Sequence, residues 1–331
     1  GLVTGIVQEF QFGMNWSGYS RFVGDVFGAP LAMEALIAFF LESTCIGLWI
    51  CGRNKLKPSV HLATIWAVAI GSMASAYFIL AANAWMQHPV GFKIVEETGR
   101  AEMTSIWAVL TNSTALYAFA HTILAALATA GMILLGVAAW YLLKGRDVEV
   151  FRPAAKVGAS LAFVAVFLTM TVGHFQAQLM TEQQPMKMAA AEALYETEES
   201  APFSLFAVAP FVARPERSSF DIGVPSGLSF LSTNSFNGEV QGVNDLQAQY
   251  VAEFGPGEYR PIIGITYWSF RLMVGAGMLM LLVAGIGLWL WRRGTLTTTT
   301  WFHKVAIGAI ALPFVANLTG WLFTEMGRQP W

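Results

Sequence analysis

Apolar residues run along this chain in six long stretches, at about residues 28–51, 60–87, 113–143, 155–180, 263–291 and 300–325. Each supplies the roughly 20 residues that a helix needs to cross a bilayer. Polar positions cluster between the stretches instead of alternating within them, so the pattern predicts an all-α, polytopic transmembrane helix bundle. Residues 1–16 (GLVTGIVQEFQFGMNW) read as the end of a preceding helix reaching an interfacial aromatic belt at Phe10, Phe12 and Trp16.

One connection stands apart, because residues 181–262 far exceed what a bundle turn requires, and long loops tend to carry function. Its first part, TEQQPMKMAAAEALYETEES, predicts a short amphipathic helix opened by Pro185. From Ala201 to Pro261 the loop is rich in Ser, Gly, Pro and Phe without sustained periodicity, which predicts partial order. The organisation is therefore four spans in 1–180, a loop at 181–262 and two spans in 263–331.

Charge sets the orientation. Arg53, Lys55 and Lys57, then Lys144, Arg146, Arg152 and Lys156, then Arg292, Arg293 and Lys304 occupy alternate connections, which the positive-inside rule assigns to the cytoplasm. The Glu-rich connections at 88–112 and 181–262 then lie outside. At 55% hydrophobic and 12% charged residues with a net charge of −2, the chain falls outside the soluble range and offers no field for nucleic acid. Gly1 follows no initiator Met and Trp331 ends a dense polar cluster, so the sequence reads as a piece of a longer chain with helices cut at both ends. Cys45 and Cys51, six apart on one predicted helix, point roughly 120° apart and cannot bridge.

Ionisable groups inside spans are costly, so each is a candidate for function. Glu34 and Glu42 are eight residues apart, about 12 Å along a helix and within roughly 80° around it. They suit a proton path, or two hydrogen bonds to neighbouring helices. His121 and Met273 each lie some 12–15 Å below the outer surface, a depth match that would suit the two axial ligands of a low-spin haem. The competing reading is a structural histidine and a gap-filling methionine. Arg271, two residues before Met273, needs an anion, and a haem propionate would serve. Glu325 and Arg328 at i, i+3 form either an interfacial salt bridge or a metal-ligating carboxylate with its supporting guanidinium. Without further information these charges also fit a proton- or ion-coupled transporter that binds no haem.

Several strings then identify a family. EFQFGMNWSGYSRFVGDVFGAPLA, MEALIAFFLEST, AANAWMQHP, AWYLLKGRD, FRLMV and GRQPW resemble, in order and spacing, subunit I of the cytochrome bd-type quinol oxidases, over essentially every span. The resemblance implies a haem-bearing quinol:oxygen oxidoreductase that oxidises ubiquinol or menaquinol outside, reduces O2 with cytoplasmic protons and builds a proton motive force without pumping. It implies His121 and Met273 as ligands of low-spin haem b beside Arg271, and Glu325 as ligand of high-spin haem b, with haem d as a further cofactor. It implies Lys187 and Glu192 in quinol oxidation, Glu34 and Glu42 in the proton supply, and Asn83, Trp321 and Arg328 around the high-spin haems. The implied partners are a second subunit, small single-span subunits and the bilayer of a bacterial or archaeal plasma membrane. An N-terminal histidine ligand of the family precedes Gly1, and GHFQAQ at 173–178 departs from the more acidic family segment.

Overall fold

The computed structural model describes residues 7, 10–207 and 221–328, so residues 329–331 of the GRQPW string and most of residues 1–9 lie outside the described residues. Six helices are long and apolar enough to cross a membrane, one for each predicted stretch: Ser17–Gly52, Pro58–Gln87, Ile106–Leu143, Val148–Gln183, Ile263–Arg292 and Thr300–Gly327. The first, third and fourth begin well before the apolar stretches do, because a helix keeps its backbone bonds past the end of its apolar face. Both cysteines are free. The chain forms two compact units, Gly1–Phe119 and Ala120–Trp331.

In the first unit, α1 (Ser17–Met33) passes through a π-helical turn at Glu34–Phe39 into α2 (Phe40–Gly52). Helix α3 (Pro58–Gln87) follows, with Pro58 at the first helical position, where its missing N–H costs nothing. Val23, Val26 and Phe27 of α1 pack on Ala82 and Trp85 of α3. The 88–112 connection is a two-stranded antiparallel hairpin, β1 (Phe92–Val95) and β2 (Arg100–Met103), and a short helix α4 (Ile106–Leu110).

In the second unit, α5 (Ser113–Leu143, shared across the boundary) and α6 (Val148–Gln183) approach along small residues. Ala155, Gly158, Ala159 and Ala162 of α6 are buried at roughly helical spacing, the arrangement that lets membrane helices meet at backbone distance. A Cβ on Gly131 would sit 2.5 Å from the Ala162 nitrogen, and one on Gly158 2.6 Å from the Leu135 nitrogen. After the loop come α10 (Ile263–Arg292) and a last span broken into α11 (Thr300–Gly308) and α12 (Ala311–Gly327). The break falls just before Pro313, which has no N–H for the preceding turn.

The described residues of the loop form more regular structure than its composition predicts. Helix α7 (Pro185–Glu192) is followed by β3 (Glu198–Glu199), β4 (Phe203–Ala207), β5 (Asp221–Val224), α8 (Gly227–Thr233), β6 (Glu239–Val240) and α9 (Val243–Phe254). β4 pairs antiparallel with β5, and β3 with β6. Their order comes from contacts distant in sequence, such as His174 Nε2 to Asn234 Oδ1 at 3.0 Å, which leave no local periodicity to read.

The α5–α6 contact makes a direct prediction. Gly158→Leu should destabilise the purified protein by about 1–3 kcal/mol through overpacking. Gly275→Ala, where a Cβ meets nothing within 4 Å, should not lower the Tm. Thermal unfolding in detergent compares the two, and equal Tm values would overturn the packing account.

Candidate functional site

The predicted loop helix forms, but it is not the amphipathic surface helix that its sequence suggests. Every residue of α7 from Met186 to Glu192 is buried. Its three alanines and two methionines carry little bulk or stiffness, so the helix nests among α6, α10 and α12 with both polar residues drawn inside. Ala193 closes it in the left-handed region at φ 51°, a position where glycine is the usual choice.

Glu192 and Arg271 meet at one end of α7. Arg271 Nη2 donates to Glu192 Oε2 at 2.6 Å, with side-chain exposures of 9% for the arginine and 0% for the glutamate. The backbone N–H of Ser204 in β4 donates to the same carboxylate oxygen at 3.1 Å. The guanidinium lies 4.6 Å from the ring centre of Phe203, 4.5 Å from Tyr267 and 5.2 Å from Phe270. Arg271 Nε and Nη1 are buried with no hydrogen-bond partner among the described residues. Arg271 thus faces a protein anion, a glutamate 79 residues away in sequence.

Lys187 leaves the opposite side of α7 toward α12. A Cβ on Gly327 would lie 2.7 Å from Lys187 Cγ, and the Lys187 ammonium sits 5.2 Å from the Phe323 ring centre. Burial lowers its pKa to about 7; the Glu325 carboxylate pulls it up and the Arg328 guanidinium pushes it down. Glu325 and Arg328 form the i, i+3 pair that their spacing predicts, with Arg328 Nε donating to Glu325 Oε2 at 2.9 Å. One eight-residue helix therefore joins Lys187, Glu192, Arg271, Glu325 and Arg328 into one neighbourhood.

His121 on α5 faces Gly173 of α6, where an added Cβ would come 3.5 Å from the ring Cε1. Its Nδ1 is buried without a hydrogen-bond partner among the described residues. Met273 on α10 faces Gly320 of α12, where a Cβ would come 2.9 Å from Sδ. No hydrogen bond among the described residues links His121 with Met273. A buried nitrogen lacking a partner among the described residues, a thioether and two open guanidinium nitrogens are donor types that a haem and its propionate would take.

In the first unit, Ser75 Oγ on α3 donates to Glu34 Oε1 at 2.6 Å. A Cβ on Gly71, one turn earlier, would lie 3.3 Å from Glu42 Cβ. The Glu34 carboxylate and the Glu42 Cβ therefore meet one stripe of α3. The π turn between them explains the alignment, since a widened turn plus an ordinary 3.6-residue turn brings eight residues close to two full turns. Asn83 accepts from Gln87 Nε2 at 2.8 Å, and Trp321 is exposed on α12.

Sequence reading missed Ser204, Tyr267, Phe203 and Ser75. Tyr267 carried a usable signal, standing four residues before Arg271 and so on the same helix face. Ser204 carried none, because its strand lies in a segment without periodicity.

A family model described as cytochrome bd terminal oxidase subunit I matches residues 1–331. Cytochrome bd ubiquinol oxidase subunit 1 of Bacillus subtilis (strain 168) is 48% identical over 331 residues, covering 100% of this chain and 70% of the relative. Cytochrome bd-II ubiquinol oxidase subunit 1 of Escherichia coli (strain K12) is 36% identical over 387 residues, covering 100% and 75%. The solved structure of bd oxidase from Geobacillus thermodenitrificans superposes with a TM-score of 0.87 at 30% identity, covering 100% of this chain and 73% of the other.

Removing one member of a buried ion pair leaves the other uncompensated, at a cost of roughly 3–5 kcal/mol, whereas replacing both with apolar groups costs much less. Glu192→Ala should therefore raise hydrogen exchange of the α7 amides, and Glu192→Leu with Arg271→Met should restore much of the protection. Additive losses in the double variant would sink this view of the pair.

Proposed function

The chain belongs to the cytochrome bd terminal oxidase subunit I family, and we propose from that membership and the geometry of α7 that it is the quinol-oxidising, oxygen-reducing subunit of a respiratory complex. The family removes the ground for reading these buried charges as a transporter relay. The observation that carries the proposal is the Glu192–Arg271 pair, which clamps the loop helix onto the span bearing Met273.

The substrate, ubiquinol or menaquinol, is oxidised at the 181–262 loop, where Lys187 and Glu192 of α7 serve the reaction. Lys187, its pKa lowered to about 7 by burial, can hold or release a proton near neutral pH. His121 and Met273 would hold low-spin haem b, with Arg271 beside a propionate, and Glu325 would hold high-spin haem b with Arg328, Trp321 and Asn83 nearby. Haem d completes the set. Bound there, the haems supply electron transfer from quinol to O2, and the protein sets ligation, burial and proton access.

Water formation consumes protons. Glu42 and Glu34, aligned on the Gly71–Ser75 stripe of α3, hold and pass protons arriving from the cytoplasm. The basic connections at 53–57, 144–156 and 292–304 support a cytoplasmic placement of those ends, which puts the loop outside. Protons released outside and consumed from inside generate a proton motive force without a pump. The spans leave large apolar residues uncovered, among them Leu36, Phe40 and Leu318 at 70%, 65% and 73% exposure, surfaces suited to lipid, a second subunit and small single-span subunits.

A reduced-minus-oxidised spectrum of the intact complex tests the ligand assignment. His121→Ala should abolish the low-spin b bands and quinol-dependent oxygen uptake while the high-spin bands persist. An unchanged low-spin spectrum would falsify the assignment of His121.

A further inference from the structure

Glu192 is wholly buried, so its environment decides which way its carboxylate points. Besides Arg271, the carboxylate receives the backbone N–H of Ser204. Ser204 Oγ in turn shares a hydrogen bond of 2.9 Å with the hydroxyl of Tyr267, and these two residues are 1% and 0% exposed. Tyr267 stands one helical turn before Arg271 on α10 and lays its ring against the guanidinium at 4.5 Å. The contacts therefore close a ring: Arg271 to Glu192, Glu192 to Ser204, Ser204 to Tyr267, and Tyr267 back to Arg271.

The strand that closes this ring is pinned from behind. Phe203 lies 4.6 Å from the guanidinium on its one side, and a Cβ on Gly227 would come 2.7 Å from Phe203 Cβ on the other. Ser204 is registered opposite Gly223 in the β4–β5 hairpin. A guanidinium carries its donors in a rigid fork, so fixing Nη2 on Glu192 also fixes where Nε and Nη1 point. Those two nitrogens are the buried donors without a partner among the described residues.

We propose that Ser204 and Tyr267 are positioning residues for quinol oxidation, holding Glu192 on Arg271 so that the two remaining guanidinium donors face an acceptor oxygen of a bound ligand, such as a haem propionate or a quinol oxygen. This rests on the proposed role of Arg271 and Glu192 beside the low-spin haem and the quinol. Strand β4 thereby becomes part of the site through an uncharged side chain and a backbone N–H.

The test uses the intact complex with Tyr267→Phe, Ser204→Ala and Ser204→Thr, and with Arg271→Gln as reference. Tyr267→Phe and Ser204→Ala each remove the shared hydrogen bond. Each should lower quinol kcat by ~10-fold with KM within about twofold. Where the donors face a haem propionate, each should also lower the midpoint potential of the low-spin haem in a redox titration, with haem content intact, because a misaimed cation stabilises the reduced haem less. Ser204→Thr, which keeps the hydroxyl, should restore both readings. If Arg271→Gln shifts potential and turnover while Tyr267→Phe and Ser204→Ala shift neither, the positioning role is wrong. If haem content falls in step with activity, the hydroxyl pair is only structural and the proposal is overturned. If Arg271→Gln itself leaves both readings unchanged, the underlying reading of Arg271 fails instead. A fall in kcat with a matching potential shift assigns the donors to the propionate, a fall in kcat at constant potential assigns them to the quinol, and an unchanged kcat overturns the proposal.

Discussion

The buried ion pair between Glu192 and Arg271 is the constraint on which the loop and its neighbouring spans depend. Two charges removed from water cost several kcal/mol each, and attraction alone offsets this only with good geometry and further hydrogen bonds. Here the bond is 2.6 Å long, a backbone amide adds a second donor to the carboxylate, and aromatic rings at 4.5, 4.6 and 5.2 Å face the cation. Such a pair contributes register more than stability. An α7 displaced by one residue, about 1.5 Å along its axis and 100° around it, would leave both charges uncompensated. The loop helix is thereby fixed to the stretch of α10 that carries Met273.

Glycine does the complementary work on the apolar side. Gly327 makes room for the stem of Lys187, Gly320 for the sulfur of Met273 and Gly173 for the ring of His121. Functional side chains of this length need space where helices would otherwise close on one another. Deeper in the unit, Gly131 and Gly158 bring α5 and α6 to backbone contact, a close-packed junction with little freedom to absorb added volume. The packing frame and the site therefore use the same residue type for opposite purposes, closing space in one place and opening it in the other.

Each part of this arrangement was legible to a different degree. The six spans were readable because a bilayer imposes one composition over some 20 residues, and that demand is local. The Glu325–Arg328 pair was readable for the same reason, being one turn apart on one helix. The partner of Arg271 was not, since nothing local links positions 192 and 271, and an unpaired cation in a span admits any anion. The burial of α7 was hidden too: PMKMAAAE has the composition of a surface helix until neighbouring helices cover every side of it. The Glu34–Glu42 alignment was predicted at roughly 80° for an ordinary helix, and the π turn improves it.

These contacts explain how one short helix can tie two spans together. Five residues separate Lys187 from Glu192, about 140° around a helix, so the two side chains must leave opposite faces. One face meets Arg271 on α10 and the other meets Glu325 and Arg328 on α12. Helix α7 therefore touches both spans, and the charge pair fixes its register between them. A change in the loop that repositions α7 therefore acts on both faces together, which is the physical reason to treat the loop and the span carrying Glu325 as one packed element.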